Sequence, residues 1–280
     1  MSRNDVLRST AAPSEMPRQS VDQLYQELGF DIPVETVPLP SGGKTYPENH
    51  PLHMRDSVSI RAMTAREEDI LTSRALVKDG RMLSMLIESC MIDKGVDAST
   101  LLSGDRNAIV TAIRITGYGS EYRTNMDCPM CGTHNTHTCN LTDLPVRRLI
   151  IDPVSPGLNE FPMTLPYTGK NVTVRFTDGR DEKEAALISE RKSKQGLMLD
   201  NLVTDRLFRA VVSVEGNSDK SFIRKFVNNL PASDSRSIRS FLDDNEPSID
   251  MTTTFTCSHC EYEKEVPLPV GANFLWPGSE

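Results

Sequence analysis

Cys128-Pro129-Met130-Cys131-Gly132 is one of two CxxC turns in this chain, and its counterpart, Cys257-Ser258-His259-Cys260, follows more than a hundred residues later. Strand-like sequence lies on both sides of each turn. Zn²⁺ takes four ligands in a tetrahedron, and a tight turn with thiolates three positions apart offers two of them without strain. The spacing therefore predicts that two distant hairpins hold one zinc ion per chain through Cys128, Cys131, Cys257 and Cys260.

A site with four thiolates is closed to water and substrate, and closed sites are structural by default. Catalytic zinc is one alternative, and a redox CxxC motif is another. The redox motif needs a strand followed by a helix, whereas strand-like sequence follows both pairs here. His134, His137 and Cys139 lie near the first turn. They either replace a ligand, bind a second metal, or are ordinary turn and strand residues, which is the interpretation we favour because four thiolates suffice.

The composition indicates a globular, mildly acidic protein. Of its 280 residues, 38% are hydrophobic and 25% are charged, and the formal net charge is -8. This balance disfavours a nucleic-acid surface. No apolar stretch approaches the length of a membrane span, and the polar N-terminus has no signal-like core, so we expect no membrane contact. In the reducing cytosol, paired CxxC motifs are metal ligands rather than disulfides.

The segment pattern predicts an α+β fold. It combines a helical block, a four-cysteine zinc ribbon made of two hairpins, and an extended N-terminal arm. A large mixed α/β insertion separates the two hairpins of the ribbon. The arm is rich in proline, whose fixed φ excludes regular helix, and it either lies along a partner or is a disordered linker. The expected regions are a flexible tail, short helix and arm at 1–56, a strand and helical block at 57–120, the first hairpin at 121–145, the insertion at 146–249, and the second hairpin and C-terminal tail at 250–280.

Local signals define several elements. Thr64 and Glu67 predict a capping box for a helix that continues to about Lys78. Asp105 is expected to cap the helix that begins at this residue. Strand-like runs around a glycine turn predict a hairpin within residues 161–176.

Catalytic motifs are missing from the sequence. It contains no phosphate-binding glycine loop, no GxGxxG, no HExxH and no GxSxG. None of the five histidines lies in a recognisable catalytic setting. We therefore expect neither an enzyme nor a small-molecule substrate.

A series of short motifs resembles a known family, the T-even-type baseplate hub subunits of contractile-tailed phages, over about residues 58–277. The motifs are the run Ser59 to Asp69, Gly104-Asp105-Arg106, Tyr118-Gly119, Cys128 to Gly132, Asn229-Leu230-Pro231, Asp234-Ser235-Arg236, Phe255 to Cys260, and Asn273-Phe274-Leu275-Trp276-Pro277. The larger members of this family carry a similarly split zinc ribbon.

The resemblance implies a non-enzymatic structural or assembly role in the hub region of a phage tail baseplate. The implied partners are other baseplate or tail proteins, including the tape measure protein, and the implied location is the virion after assembly in the host cytoplasm. One alternative is a tail assembly chaperone that is absent from the mature virion. An alternative from another class is a cytosolic zinc-ribbon adaptor for nucleic acid, for which Arg147-Arg148 and Arg236/Arg239 are the local basic spots.

The C-terminal run predicts one further binding feature. Phe274, Leu275, Trp276 and Pro277 include the only tryptophan of the chain. Because Trp and Phe dominate interface energetics, this run is either an anchor for a partner pocket or a tail that folds back on its own ribbon.

Overall fold

The computed structural model describes Gly29 and residues 32–195, 201–268 and 272–275. The chain divides into two units, Met1–Pro33 and Val34–Glu280. The expected tail and short helix before Gly29 lie outside the described residues. The described helices and strands belong to the second unit.

The first half of this unit contains one central helix, α4, which is buried over most of its length. In chain order its elements are β1 (Val34–Pro38), β2 (Ser57–Arg61), α1 (Ala65–Thr72), α2 (Arg74–Lys78), α3 (Met82–Cys90), α4 (Ser103–Tyr118), β3 (Glu121–Asp127) and β4 (His134–Asn140). Two short 3₁₀ turns, Ala98–Thr100 and Leu141–Asp143, connect them.

The second half alternates small sheets with helices. Its elements are β5 (Val146–Arg147), β6 (Phe161–Thr164), β7 (Asn171–Val174), α5 (Gly179–Gln195), α6 (Leu202–Ala210), β8 (Val211–Val214), α7 (Lys220–Asn228), α8 (Ala232–Asn245), β9 (Ser248–Ile249), β10 (Thr252–Thr256), β11 (Glu263–Pro267) and α9 (Ala272–Leu275). The predicted hairpin within 161–176 is present as β6 and β7. No membrane-spanning candidate occurs among the described helices, since none is both long and apolar enough.

All named strand pairs are antiparallel. β1 pairs with β2, β3 with β4, β10 with β11, and β6, β7 and β8 form a three-stranded sheet. β5 pairs with β9, which brings together the two ends of the segment between the hairpins. The segment also shares one hydrophobic core with the helical block, because Phe161 and Phe176 belong to the same buried cluster as Ile109 and Ile113 of α4.

The residues from Val34 to 56 do not form the extended arm that the sequence predicts. β1 pairs with β2, and Leu39, Tyr46 and Leu52 are buried. Proline excludes helix from this stretch, but it permits extended chain and turns, which can still bury side chains. The segment is therefore part of the core.

Asp105 of α4 holds this segment in place. Its carboxylate accepts hydrogen bonds from the Ser41 amide at 2.9 Å, the Ser41 hydroxyl at 2.5 Å and the Tyr46 hydroxyl at 2.5 Å. The expectation that Asp105 caps its own helix is wrong, since the N-cap position is Leu102 and has no side-chain cap. A carboxylate without solvent must be satisfied by donors, and the segment supplies them.

The neighbours of Asp105 also make tertiary contacts. Gly104 lies so close to β9 that an added Cβ would stand 1.6 Å from the carbonyl oxygen of Pro247. Arg106 is buried and donates to the carbonyl of Ala98 and to Glu182 of α5. The Gly104-Asp105-Arg106 triplet thus joins α4 to four separate parts of the chain: the segment after β1, the turn at Ala98, α5 and the start of β9.

The capping box at Thr64 and Glu67 is confirmed. The helix it begins ends sooner than expected, because Ser73 is extended and starts α2 as a new N-cap. Arg61 donates to both carboxylate oxygens of Glu67 at 2.8 and 3.1 Å, and the Ser89 hydroxyl donates at 2.6 Å. Glu67 is fully buried, so this network fastens β2 to α1 and α3.

We expect acid to lower the unfolding free energy of the protein by protonating the Glu67 carboxylate. Burial raises the pKa of its carboxyl, but hydrogen bonds from Arg61, Ser89 and Thr64 outweigh burial and lower the pKa to about 2 from the ordinary 4.5. The stabilisation is therefore present above pH 4.5 and is lost as the pH falls towards 2. We expect the gap in unfolding free energy between the native protein and Glu67→Gln to shrink by roughly 3 kcal/mol over that interval.

Denaturant unfolding at a series of pH values measures this gap. Asp69→Asn, on the exposed face of the same helix, is the matched control and should stay within about 0.5 kcal/mol of the native protein throughout. A gap for Glu67→Gln that does not change with pH would contradict the prediction.

Candidate metal centre

Each CxxC sequence forms the turn between two antiparallel strands. In the first knuckle, residues 128–132, the Gly132 amide donates to the Cys128 carbonyl at 2.8 Å. In the second knuckle, residues 257–261, the Glu261 amide donates to the Cys257 carbonyl at 3.1 Å. The two turns therefore share one backbone geometry. A strand follows each CxxC, which disfavours the redox motif, where a helix would follow.

The two knuckles bring their four sulfur atoms together. All four lie within 4.8 Å of one another. Cys128 Sγ is 3.6 Å from Cys260 Sγ, and Cys131 Sγ is 3.6 Å from Cys257 Sγ. With Zn–S bonds of about 2.3 Å, a regular tetrahedron separates its sulfurs by about 3.8 Å. The four free thiols therefore fit a tetrahedral ion of the size of Zn²⁺.

The electrostatics of the cluster also favour a cation. The hydrogen bond with Thr133 lowers the pKa of the Cys131 thiol to about 5. At Cys260, the Tyr262 backbone lowers the pKa, but burial and the neighbouring thiols outweigh it and raise the pKa to about 12. Adjacent thiolates repel one another unless a cation lies between them, so metal binding would release protons from the cluster.

Asn135 joins the two knuckles and was not predicted from the sequence. This buried side chain on β4 accepts hydrogen bonds through Oδ1 from the Ser258 amide at 2.9 Å and the Ser258 hydroxyl at 2.7 Å. Its Nδ2 group lies 3.7 Å from Cys257 Sγ and 2.8 Å from the Thr133 carbonyl. Such outer contacts orient metal ligands. An asparagine within a strand carries no sequence signal for this role.

The three additional ligand candidates stand apart from the sulfur cluster, which within the described part of the chain consists of the four CxxC cysteines. His134 Nδ1 lies 2.7 Å from the Asp127 carboxylate on the exposed face of the first hairpin. His137 Nε2 lies 3.1 Å from the Thr253 hydroxyl of β10, so it connects the two hairpins. Cys139 packs against the main core, and burial raises the pKa of its thiol.

Little hydrophobic contact holds the knuckles together. Their buried apolar cluster consists of Cys128, Phe255 and Cys257, with Met126, Tyr262 and Val266 packed against it. Small folding units with such limited cores usually need a disulfide or a metal. No disulfide links these cysteines.

The C-terminal run is buried where the structure describes it. Phe274 and Leu275 are 1% and 4% exposed, and the Phe274 ring packs edge-on against Tyr122 of β3 at 5.2 Å. These two side chains are therefore not available as a surface anchor. They match the alternative of a tail that folds back on its own ribbon, here on the first hairpin. Trp276 and Pro277 lie outside the described residues.

Replacing Glu261 with glycine should stabilise the second knuckle. Glu261 has a φ of 56°, whereas the equivalent position of the first knuckle is Gly132, with a φ of 71°. The left-handed conformation costs an ordinary residue about 1–2 kcal/mol. Glycine avoids this cost, but its greater conformational entropy in the unfolded chain cancels part of the gain in stability. We expect Glu261→Gly to raise the unfolding free energy by about 0.5–1 kcal/mol.

Denaturant unfolding of the metal-loaded protein measures this difference. Glu263→Gly, in the extended strand β11 of the same hairpin, is the control and should lose about 0.5–1 kcal/mol. A loss of stability in both variants would refute the role of the left-handed backbone.

Comparison with protein-family models matches residues 32–276 to a family described as T4 bacteriophage base plate protein. The match covers well over half of the chain. No curated protein matches the sequence, and no solved structure matches it.

Proposed function

Since the chain belongs to the family of T4 bacteriophage base plate proteins, we propose that it is a non-enzymatic structural or assembly component of a contractile phage tail, in the hub region of the base plate. The family match over residues 32–276 carries this proposal. Its partners are other base plate or tail proteins, among them the tape measure protein, and its final location is the virion after assembly in the host cytoplasm.

The four-cysteine cluster serves this role as a structural zinc site with one Zn²⁺ per chain. Cys128, Cys131, Cys257 and Cys260 would complete the tetrahedron and leave no position for a water or substrate. The ion would tie together two hairpins that are more than a hundred residues apart, and its binding energy would become folding energy. We propose this arrangement as a split zinc ribbon.

A nucleic-acid adaptor is the weaker candidate, because its basic spots are partly engaged within the chain. Arg147 donates to the Asp243 carbonyl and to the Ser248 hydroxyl at 3.0 Å each. Arg239 lies 3.4 Å from the Ser235 carbonyl. The formal net charge of -8 would also repel a phosphate backbone. Salt-dependent binding to DNA would revive this candidate, and absence of binding at low salt would remove it.

The location of the protein tests the proposal. Quantitative mass spectrometry should find it in purified virions at a fixed ratio to the other base plate proteins, and loss of its gene should stop tail assembly. The chaperone alternative instead predicts the protein in infected cells and its absence from virions. Normal, infectious tails in the absence of the gene would overturn both.

A further inference from the structure

β1 is the outer strand of a small sheet. Its neighbour β2 is engaged on both sides, because it pairs with β1 on one side and with residues 91–93 on the other. There the Ile92 amide donates to the Ser59 carbonyl at 2.9 Å, and the Ser59 amide donates to the Asp93 carboxylate at 2.8 Å. This sheet can therefore gain a further strand only beyond β1.

The alternation of hydrogen bonds determines which backbone groups of β1 face outward. In an antiparallel pair, each residue directs its amide and its carbonyl either towards the partner strand or away from it, and this direction alternates along the strand. Both backbone groups of Ser59 point away from β1. Its register partner Thr36 therefore points away from β2. Val34 shares this outward direction, whereas Glu35 and Val37 face β2.

The outward-facing backbone groups of β1 have no partner within the described part of the chain. No described residue accepts a hydrogen bond from the amide of Val34 or Thr36. The side chains of residues 34–36 are exposed, and that of Val34 is 53% exposed. Pro38 takes the third outward position and lacks an N–H. The outer side of residues 34–38, which we term the open edge, thus offers two amide donors and three carbonyl acceptors.

The open edge has fewer obstacles to an added strand than two other strands at sheet edges. β6 contains Pro162, and β11 carries three charged residues and ends at Pro267. Prolines and charged side chains on an edge oppose strand addition. The outward positions Val34 and Thr36 are instead β-branched, which suits a residue within a sheet.

Glu35 indicates the charge of a strand that fits the open edge. Its exposed carboxylate lies between the two outward-facing residues and forms no ion pair with any described residue. Residues directly opposite in antiparallel strands have Cβ atoms about 4.5–5.5 Å apart, and opposite charges at this distance are stabilising. A lysine or arginine opposite Glu35 would therefore favour the added strand.

A second copy of the chain fits the open edge less well. Two β1 strands can pair antiparallel around a two-fold axis at Glu35 or at Thr36. The first register places Glu35 opposite the same residue of the copy, and like charges directly opposite are destabilising. The second register places Glu35 opposite the apolar Val37 position. Neither register gives the carboxylate a cation, so the charge favours a basic strand from a different protein.

We propose that the open edge receives an extended segment of another base plate protein as an added antiparallel strand, with a lysine or arginine opposite Glu35. This inference rests on the proposed function for the class of partner. Hydrogen bonds to the backbone of Val34 and Thr36 supply the affinity, and the basic side chain supplies the specificity, as in other cases of strand addition.

The peptide acetyl-Thr-Val-Lys-Val-Thr-amide tests this proposal by NMR on the full-length, zinc-loaded protein labelled with ¹⁵N-valine and ¹⁵N-threonine. At a peptide concentration about ten times its dissociation constant, exchange of the Val34 and Thr36 amides with water should slow about tenfold. The Val37 amide already faces β2, so its exchange should change less than about twofold. A strand on the open edge thus protects alternate residues.

A charge exchange at Glu35 tests the specificity. Glu35→Lys should bind the lysine peptide about fivefold more weakly than the native protein does. It should bind acetyl-Thr-Val-Glu-Val-Thr-amide about fivefold more tightly. Glu265→Lys makes the same change in net charge at an exposed glutamate of β11, and it should alter both affinities less than about twofold.

Proline substitutions test the direction of the backbone groups. Thr36→Pro removes an outward amide, and an edge strand tolerates proline where its N–H faces solvent. The variant should unfold close to the denaturant concentration of the native protein but bind the peptide several-fold more weakly. Glu35→Pro is the matched control, because it removes an amide that faces β2 and should lower that concentration. Equal destabilisation by the two prolines would contradict the assigned direction.

Three further results would overturn the inference. They are no saturable effect of the lysine peptide, equal responses of Glu35→Lys and Glu265→Lys, and slow exchange of Val34 and Thr36 in the native protein without peptide. In the last case, a dimer in sedimentation velocity would identify a second copy as the occupant, and a monomer would show that the chain covers the edge itself. None of these measurements depends on virion location or tail assembly, so failure of the inference and failure of the proposed function are separable.

Discussion

Replacing Cys257 with serine is expected to abolish stable zinc binding and to separate the two hairpins. The substitution removes one of four thiolates, and it also removes the sulfur that lies 3.7 Å from Asn135 Nδ2 and accepts from the His259 amide at 3.4 Å. Structural zinc contributes about 10–16 kcal/mol of binding free energy in small domains. The small apolar cluster around Phe255 would not replace that contribution.

Elemental analysis after dialysis against a mild chelator should find one zinc per chain in the native protein and almost none in Cys257→Ser. Hydrogen exchange should accelerate in β3, β4, β10 and β11 and change little in α4. Cys139→Ser is the matched control, because Cys139 lies in β4 but outside the cluster, and it should retain its zinc. A native protein that folds fully without metal would remove the proposed zinc site.

Replacing Gly104 with alanine is expected to be the most damaging change of a single methyl group. The new Cβ would lie 1.6 Å from the Pro247 carbonyl oxygen and 2.7 Å from the Pro247 carbonyl carbon. These atoms belong to the backbone, so α4 would have to move away from β9. Overpacking costs about 1–3 kcal/mol where side chains can adjust, and we expect a loss of at least about 3 kcal/mol here.

Gly117→Ala is the matched control in the same helix. Its Cβ would meet the end of the flexible Met63 side chain at 3.0 Å, and alanine favours helix over glycine by up to about 1 kcal/mol. We expect its stability to be equal to that of the native protein or slightly higher, by thermal and denaturant unfolding. If both variants lost the same unfolding free energy, the loss in Gly104→Ala could not be assigned to the close approach of the Pro247 backbone.

Local features were predictable because they depend on residues close together in the chain. The capping box needs Thr64 and Glu67 alone, and the hairpin of β6 and β7 needs a turn and two strand-like runs. Predictions from local sequence failed where a side chain could bind either a neighbour in the chain or a residue far away in the sequence. Asp105 stands in the first turn of a helix, as a capping residue would, but its carboxylate binds Ser41, which is 64 positions away.

The same limit applies to the segment after Val34. Its prolines excluded helix, and nothing in its own sequence distinguished a loose arm from a buried strand and loop. Burial of Leu39 and Leu52 depends on a core built from the rest of the chain. Phe274 is a comparable case, since an aromatic residue near a terminus fits a partner pocket or its own core equally well.

The sequence by itself determined the chemistry of this protein: two turns with thiolates three positions apart, an acidic composition, and the absence of catalytic motifs. That the two turns meet was also predicted from their spacing, and the four sulfurs do lie together. Tertiary structure alone decided how one turn is positioned against the other, that Asn135 joins them, and that Gly104 touches the chain at the start of β9. The physical reason is distance along the chain. The spacing of two cysteines sets the geometry of one turn, whereas the position of one turn against the other depends on every contact between them.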